Sequence, residues 1–127
     1  MTEQQKGEVV LYQKDDGSPR IDVRFEGDTV WLTQAQLVEL FQSSKANISE
    51  HIANIFFEGE LSEEATVRDF RTVRIEGTRE VERELSHYNL DLIISVGYRV
   101  KSKTATQFRI WATERLREYL IKGFAMD

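Results

Sequence analysis

Cysteine is missing from the chain altogether. Its absence excludes a disulfide scaffold, a thiolate nucleophile and any zinc site built on cysteine ligands, and it fits a cytoplasmic protein. Proline occurs once, at Pro19, and no repeat or low-complexity tract divides the chain. No segment approaches the roughly 18 apolar residues that would span a bilayer. The polar opening MTEQQKGEVV lacks the apolar run of a signal peptide, so no membrane partner is expected. Histidine is almost as scarce. His51 and His87 have no third ligand at metal spacing, so neither zinc nor another cofactor is expected. A nuclease or hydrolase would have to pair His51 with Glu50 or His87 with Asp91. Charged neighbours are common by chance, and the reading is that the chain is not an enzyme.

What is present suits one α+β domain. The 127 residues are 40% hydrophobic and 31% charged, ordinary values for a single globular unit. The net charge of −5 opposes DNA binding as an average, but it is unevenly spread. Residues 1–66 hold 5 basic and 13 acidic side chains, whereas residues 67–122 hold 12 and 8. A nucleic-acid site needs a local positive surface rather than a positive total. The plainer account is that these charges solvate a helix and a hairpin.

The domain reads in four parts: a strand meander (1–32), a helix-turn-helix (33–59), a β-hairpin (67–88) and a helical pair (89–122). In the meander, Glu8–Gln13 is rich in strand formers and Asp15–Ser18 supplies a turn. Ile21, Val23 and Phe25 alternate with Asp22 and Arg24. At Thr33 the period changes. Thr33 and Gln36 fit a capping box, Leu37, Val38, Leu40 and Phe41 form an apolar face, and small Ala35 is expected to let the next helix approach. Ser44 is a good N-cap for that helix, whose apolar positions are Ile48, Ile52, Ile55 and Phe56, with Gly59 at its close. Beyond the acidic stretch Glu60–Glu64, Glu76-Gly77-Thr78 predicts the hairpin turn. Asn89 caps a short helix over Leu90–Val96, with Gly97 expected in the left-handed position after it. Thr104 and Gln107 suggest a further cap, and the last helix runs to about Lys122 with Phe108, Ala112, Leu116 and Tyr119 on one side.

The segment LTQAQLVELFQSSKANISEHIANIF has the layout in which one helix braces a second, leaving the second free to enter a major groove. Lys45, Asn47, Ser49, Glu50 and Asn54 lie opposite the isoleucines. Asn pairs bidentately with adenine, Glu accepts from cytosine, and Ser or Lys reaches base edges or phosphate. Ser44 and the amides after it favour a phosphate. The competing account is a solvated helix face used only for packing, and Glu50 supports it, because a carboxylate near phosphates is costly.

The arginines of VRDFRTVRIEGTREVER read as a wing, with Arg71, Arg74 and Arg79 on backbone phosphates. They would equally pair across strands with Glu80, Glu82 and Glu84. Arg99, Lys101 and Lys103, ahead of the last helix, form a third anion-attracting cluster, or a polar loop that caps a helix.

The run YNLDLIISVGYRVKSKTATQFRIWATERLREYLIKGF, with WLTQAQLVELFQSSKANISEHIANIF and EGEL before it, resembles the virulence-associated RhuM family of bacterial proteins. The resemblance implies a protein from mobile or pathogenicity-linked gene neighbourhoods, sometimes near Fic-type proteins; it supplies no mechanism. Family members continue beyond the GF-x-x-D stretch, where this chain stops, and VRIEGTREVEREL departs from the family pattern. Gly97-Tyr98 and Phe108-Arg109-Ile110-Trp111 are similar to the BRO N-terminal domain of viral and phage proteins, which bind DNA.

The sequence therefore leads to an α+β domain with a winged helix-turn-helix-like core that binds double-stranded DNA in sequence-specific fashion, as a bacterial transcriptional regulator. A homodimer is expected, with Trp111, Leu120 and Phe124 as candidate contacts, since one recognition helix rarely suffices. The rival reading is a protein-interaction module, such as an antitoxin-like partner of a Fic-type toxin, to which an acidic N-terminal meander would suit a basic surface.

Overall fold

Three short strands open the fold, β1 (Glu8–Tyr12), β2 (Ile21–Glu26) and β3 (Thr29–Thr33), with burial alternating along the first two and continuous over Val30–Leu32 in the third. The computed structural model describes residues 7–13 and 20–125, without the side chains of Arg74, Phe124 and Ala125. The turn expected over Asp15–Ser18 therefore lies outside the described residues. Strand β2 turns Ile21, Val23 and Phe25 inward and Asp22 outward, as its period-2 pattern requires.

Helix α1 (Gln34–Phe41) begins on Thr33, whose hydroxyl accepts from Gln36 N at 3.2 Å while Gln36 Oε1 accepts from Thr33 N at 2.9 Å. The capping box is thus complete, and Gln36 Nε2 also donates to the Asp22 carbonyl at 2.7 Å, tying helix to sheet. Gln42 ends α1 in the left-handed region at φ 51°. Helix α2 (Lys45–Phe57) is capped by Ser44, whose side chain accepts from Asn47 N at 3.0 Å. Its end is a Schellman motif. Glu60 N donates to Ile55 O and Gly59 N to Phe56 O, with Gly59 at φ 75°.

A four-residue helix, α3 (Glu63–Thr66), occupies part of the stretch expected to be a plain acidic segment. Ser62 makes it possible by accepting from Ala65 N. Then come β4 (Val67–Glu76) and β5 (Arg79–Asn89), joined by Gly77-Thr78 with Gly77 at φ 64°. Positive φ at only the first turn residue is the mark of a type II′ hairpin. The meander and the hairpin are not separate parts. Leu32 faces Tyr88 and Thr33 faces His87, so all five strands form one antiparallel sheet in the order β1-β2-β3-β5-β4.

Helix α4 (Leu90–Arg99) starts on Asn89, which accepts from Leu92 N at 3.1 Å. It runs three residues past Val96, so Gly97 is inside it rather than after it, and the left-handed residue is Lys101 at φ 55°. Helix α5 (Thr104–Ala125) follows and extends beyond Lys122. Helices α1, α2, α4 and α5 cover one face of the sheet, and their buried residues join Ile21, Val23, Phe25, Val30 and Leu32 in a single core. The result is a two-layer α+β architecture.

Close approach in the helical layer depends on Gly97, not Ala35, which is exposed. A Cβ at Gly97 would lie 2.4 Å from Ala105 Cβ and 3.1 Å from Phe41 Cζ. Behind this, Tyr12, Phe25, Phe108, Trp111 and Tyr119 make edge-to-face contacts with ring centroids 4.9 to 5.9 Å apart, each pair worth roughly 0.5–1.5 kcal/mol beyond area burial. Trp111 belongs to this internal cluster, and Phe124 lies outside the described side chains. Leu120, also expected at a dimer contact, is 39% exposed.

Candidate nucleic-acid interface

Helix α2 is amphipathic as its sequence predicts. Ile48, Ile52 and Ile55 are buried, while Lys45, Asn47, Ser49 and Glu50 are exposed and Asn54 is half-buried. The five residues expected to read bases therefore share one helix, and four of them open to solvent. Two of the polar groups are already engaged locally. The Ser44 hydroxyl is used in capping, and Asn47 Nδ2 donates to Ser43 Oγ at 2.7 Å. The formal charge of the exposed stretch Lys45–Glu50 is one cation against one anion, so electrostatic attraction to phosphate must be supplied by its surroundings.

The hairpin divides the arginines that the sequence placed together. In the ladder Arg71 faces Glu84 and lies one residue from the Thr72–Arg83 pair. Alternation then puts Arg71 on the same face as Asp69, Glu80, Glu82 and Glu84, the face that continues into Tyr88 and the helical layer. Arg71 reaches Glu82 at 4.0 Å. Arg68, Arg79 and Arg83 stand on the opposite face, where Arg83 pairs with Glu76 at 3.4 Å. Arg74 faces Val81 in the backbone register, and its side chain is outside the description. One face of the arm is thus acidic and the other basic, a split that the one-dimensional run of arginines conceals.

At the base of the arm, Phe70 packs edge-on against Trp31 and His87 at 5.4 and 5.0 Å, with the Arg24 and Arg68 guanidinium groups 4.4 and 4.8 Å from its ring centre. His87 is buried here, its Nδ1 2.9 Å from the Leu85 carbonyl. Burial chiefly pushes its pKa below the usual imidazole range, assisted by Arg24. The site stabilises the neutral ring.

Arg99 is the member of the third basic cluster with an assigned partner. Its guanidinium bonds Glu58 at 3.0 Å and Glu60 at 2.8 Å, closing the end of α4 onto the end of α2. The Arg99 hydrogen bond holds Glu58 below the usual carboxylate range; Ser95 and then Arg99 do the same for Glu60. Lys101 and Lys103, both exposed, follow Arg99 in the chain. Sequence reasoning missed Glu58 and Glu60 because the partners are 39 to 41 residues from Arg99. Among the described residues no group of three His, Asp or Glu side chains is placed to hold a metal ion, and no helix is long and apolar enough to cross a membrane.

No curated protein and no solved structure matches the chain. Residues 65–127, which comprise the hairpin arm and the α4–α5 pair, match the family model described as virulence protein RhuM family. Over that segment, 63 of the 127 residues, the chain is similar to the virulence protein RhuM family.

Proposed function

We propose that this chain binds double-stranded DNA and that α2 is the reading helix, seated in the major groove in the manner of a helix-turn-helix protein. The observation that carries the reading is the division of α2: isoleucines inward, Lys45, Asn47, Ser49 and Glu50 outward and uncovered. Helix α1 braces α2 through a three-residue connection, as such a pair requires. Phosphates are held by the free amides after Ser44 and by Lys101 and Lys103, with Arg79 contributing from the arm. A role in bacterial transcription regulation follows from sequence-specific binding, in keeping with a cytoplasmic address.

A second reading, a module that covers a basic protein such as a toxin, is favoured by two observations. Phe57 at the end of α2 is 92% exposed, and the helix-side face of the arm is glutamate-rich. Titration of fluorescent genomic duplexes at several salt concentrations separates the two. DNA binding predicts affinity falling with a log–log slope of about −0.9 per phosphate contact. No binding to any duplex at low salt favours the protein partner.

A further inference from the structure

Strand β4 is one of the two edges of the sheet among the described residues, ten residues long, and its Val73 and Ile75 are 53% and 79% exposed. Edge strands are usually short or covered, because their outward N–H and C=O groups accept another strand. The two-residue turn makes Glu76–Arg79 the closing hydrogen-bonded pair. Even-numbered residues of β4 therefore bond to β5, and odd-numbered ones from Asp69 to Ile75 direct their N–H and C=O groups outward, whereas the Val67 N–H closes α3 on the Glu63 carbonyl.

We infer that two copies of this chain join through β4, antiparallel about a two-fold axis at Thr72, into one continuous sheet. The register follows from the residues. Outward groups bond only when odd positions meet odd positions. An axis at Arg71 would set Arg71 against its own copy and Arg68 against Arg74. An axis at Phe70 would drive each hairpin tip past the partner's Val67 toward α3. An axis at Val73 would place Glu76 against Phe70 and leave Arg68 without a carboxylate. The axis at Thr72 matches the strand end to end, and Arg68 faces the partner's Glu76 at both ends.

Both of those side chains reach the surface, each holding a solvent-exposed ion pair that the partner strand would extend. Arg68 and Glu76 are 56% and 50% exposed, with intrachain partners at 3.5 and 3.4 Å. In this register Val73 lies diagonal to the partner's Val73, and Ile75 diagonal to the partner's Val67, so both exposed side chains gain cover. The pairing needs no nucleic acid and stands apart from the DNA reading.

Sedimentation velocity of the whole chain over a concentration series tests it. The wild type runs as a dimer. Val73→Pro runs as a monomer with an unchanged far-ultraviolet spectrum, because the N–H it removes points away from β5. Should that variant unfold, charge reversal decides: Arg68→Glu and Glu76→Arg each give a monomer, and the two together restore the dimer. A monomeric wild type, a folded and dimeric Val73→Pro, or a double variant that dissociates like the single ones overturns the proposal.

Discussion

Gly97 has no room for a side chain. With Ala105 Cβ 2.4 Å from where its Cβ would stand and Phe41 beside it, Gly97→Ala must push α4 away from α5 and α1. The expected cost is roughly 1–3 kcal/mol of overpacking, read as a lower urea midpoint; an unchanged midpoint would contradict the packing described. His87 makes a second prediction at this scale. Its folded pKa lies below the unfolded value of about 6.5, so the unfolded chain takes up the proton first. The stability it contributes is full above about pH 6.5 and is lost as pH falls toward the folded pKa. His87→Leu should flatten that part of the stability–pH curve, and an unaltered slope would place the titration elsewhere. Neither role was legible in the sequence. Gly97 looked like a helix terminator because glycine commonly follows helices, and only the packed layer shows that a close approach claims it.

Among the elements, the caps were the most legible. Thr33 with Gln36, Ser44 and Asn89 each satisfy backbone donors within three residues, a range at which local chemistry decides structure. Ser44→Ala should therefore cost about 1 kcal/mol of stability by loosening the first turn of α2. Calorimetric melting checks this, and a loss under a few tenths would mean that the cap contributes nothing. The hairpin was legible as a hairpin, through the turn at Gly77, but its charge division was not. Which arginine shares a face with which glutamate depends on register, and a shift of one residue reverses every side chain. The same holds for the joining of β3 to β5. It brings Leu32 and Tyr88 together across more than fifty positions of chain, and no local signal foretells it.

For the molecule as a whole, the legible part of the candidate site is α2, because its i, i+4, i+7 isoleucines settle which side is buried. The phosphate contacts were less legible. The sequence groups Arg99 with Lys101 and Lys103, yet Arg99 closes α4 onto α2 through Glu58 and Glu60. Arg99→Met should consequently loosen the α2–α4 junction, increasing hydrogen exchange at the last turn of α2. Exchange unchanged there would show that the ion pairs do not hold the helices together. The wild-type junction weakens in acid, as Glu58 and Glu60 take up protons at their depressed pKa values.

The central claim is that the exposed side of α2 reads base pairs. Selection from a random duplex library, comparing the wild type with the Lys45→Ala/Asn47→Ala variant and with Arg79→Ala, tests it most directly. The account predicts an enriched motif for the wild type, a relaxed motif for the α2 variant, and for Arg79→Ala the same motif bound more weakly at every sequence. Identical motifs and affinities for the wild type and the α2 variant would contradict it.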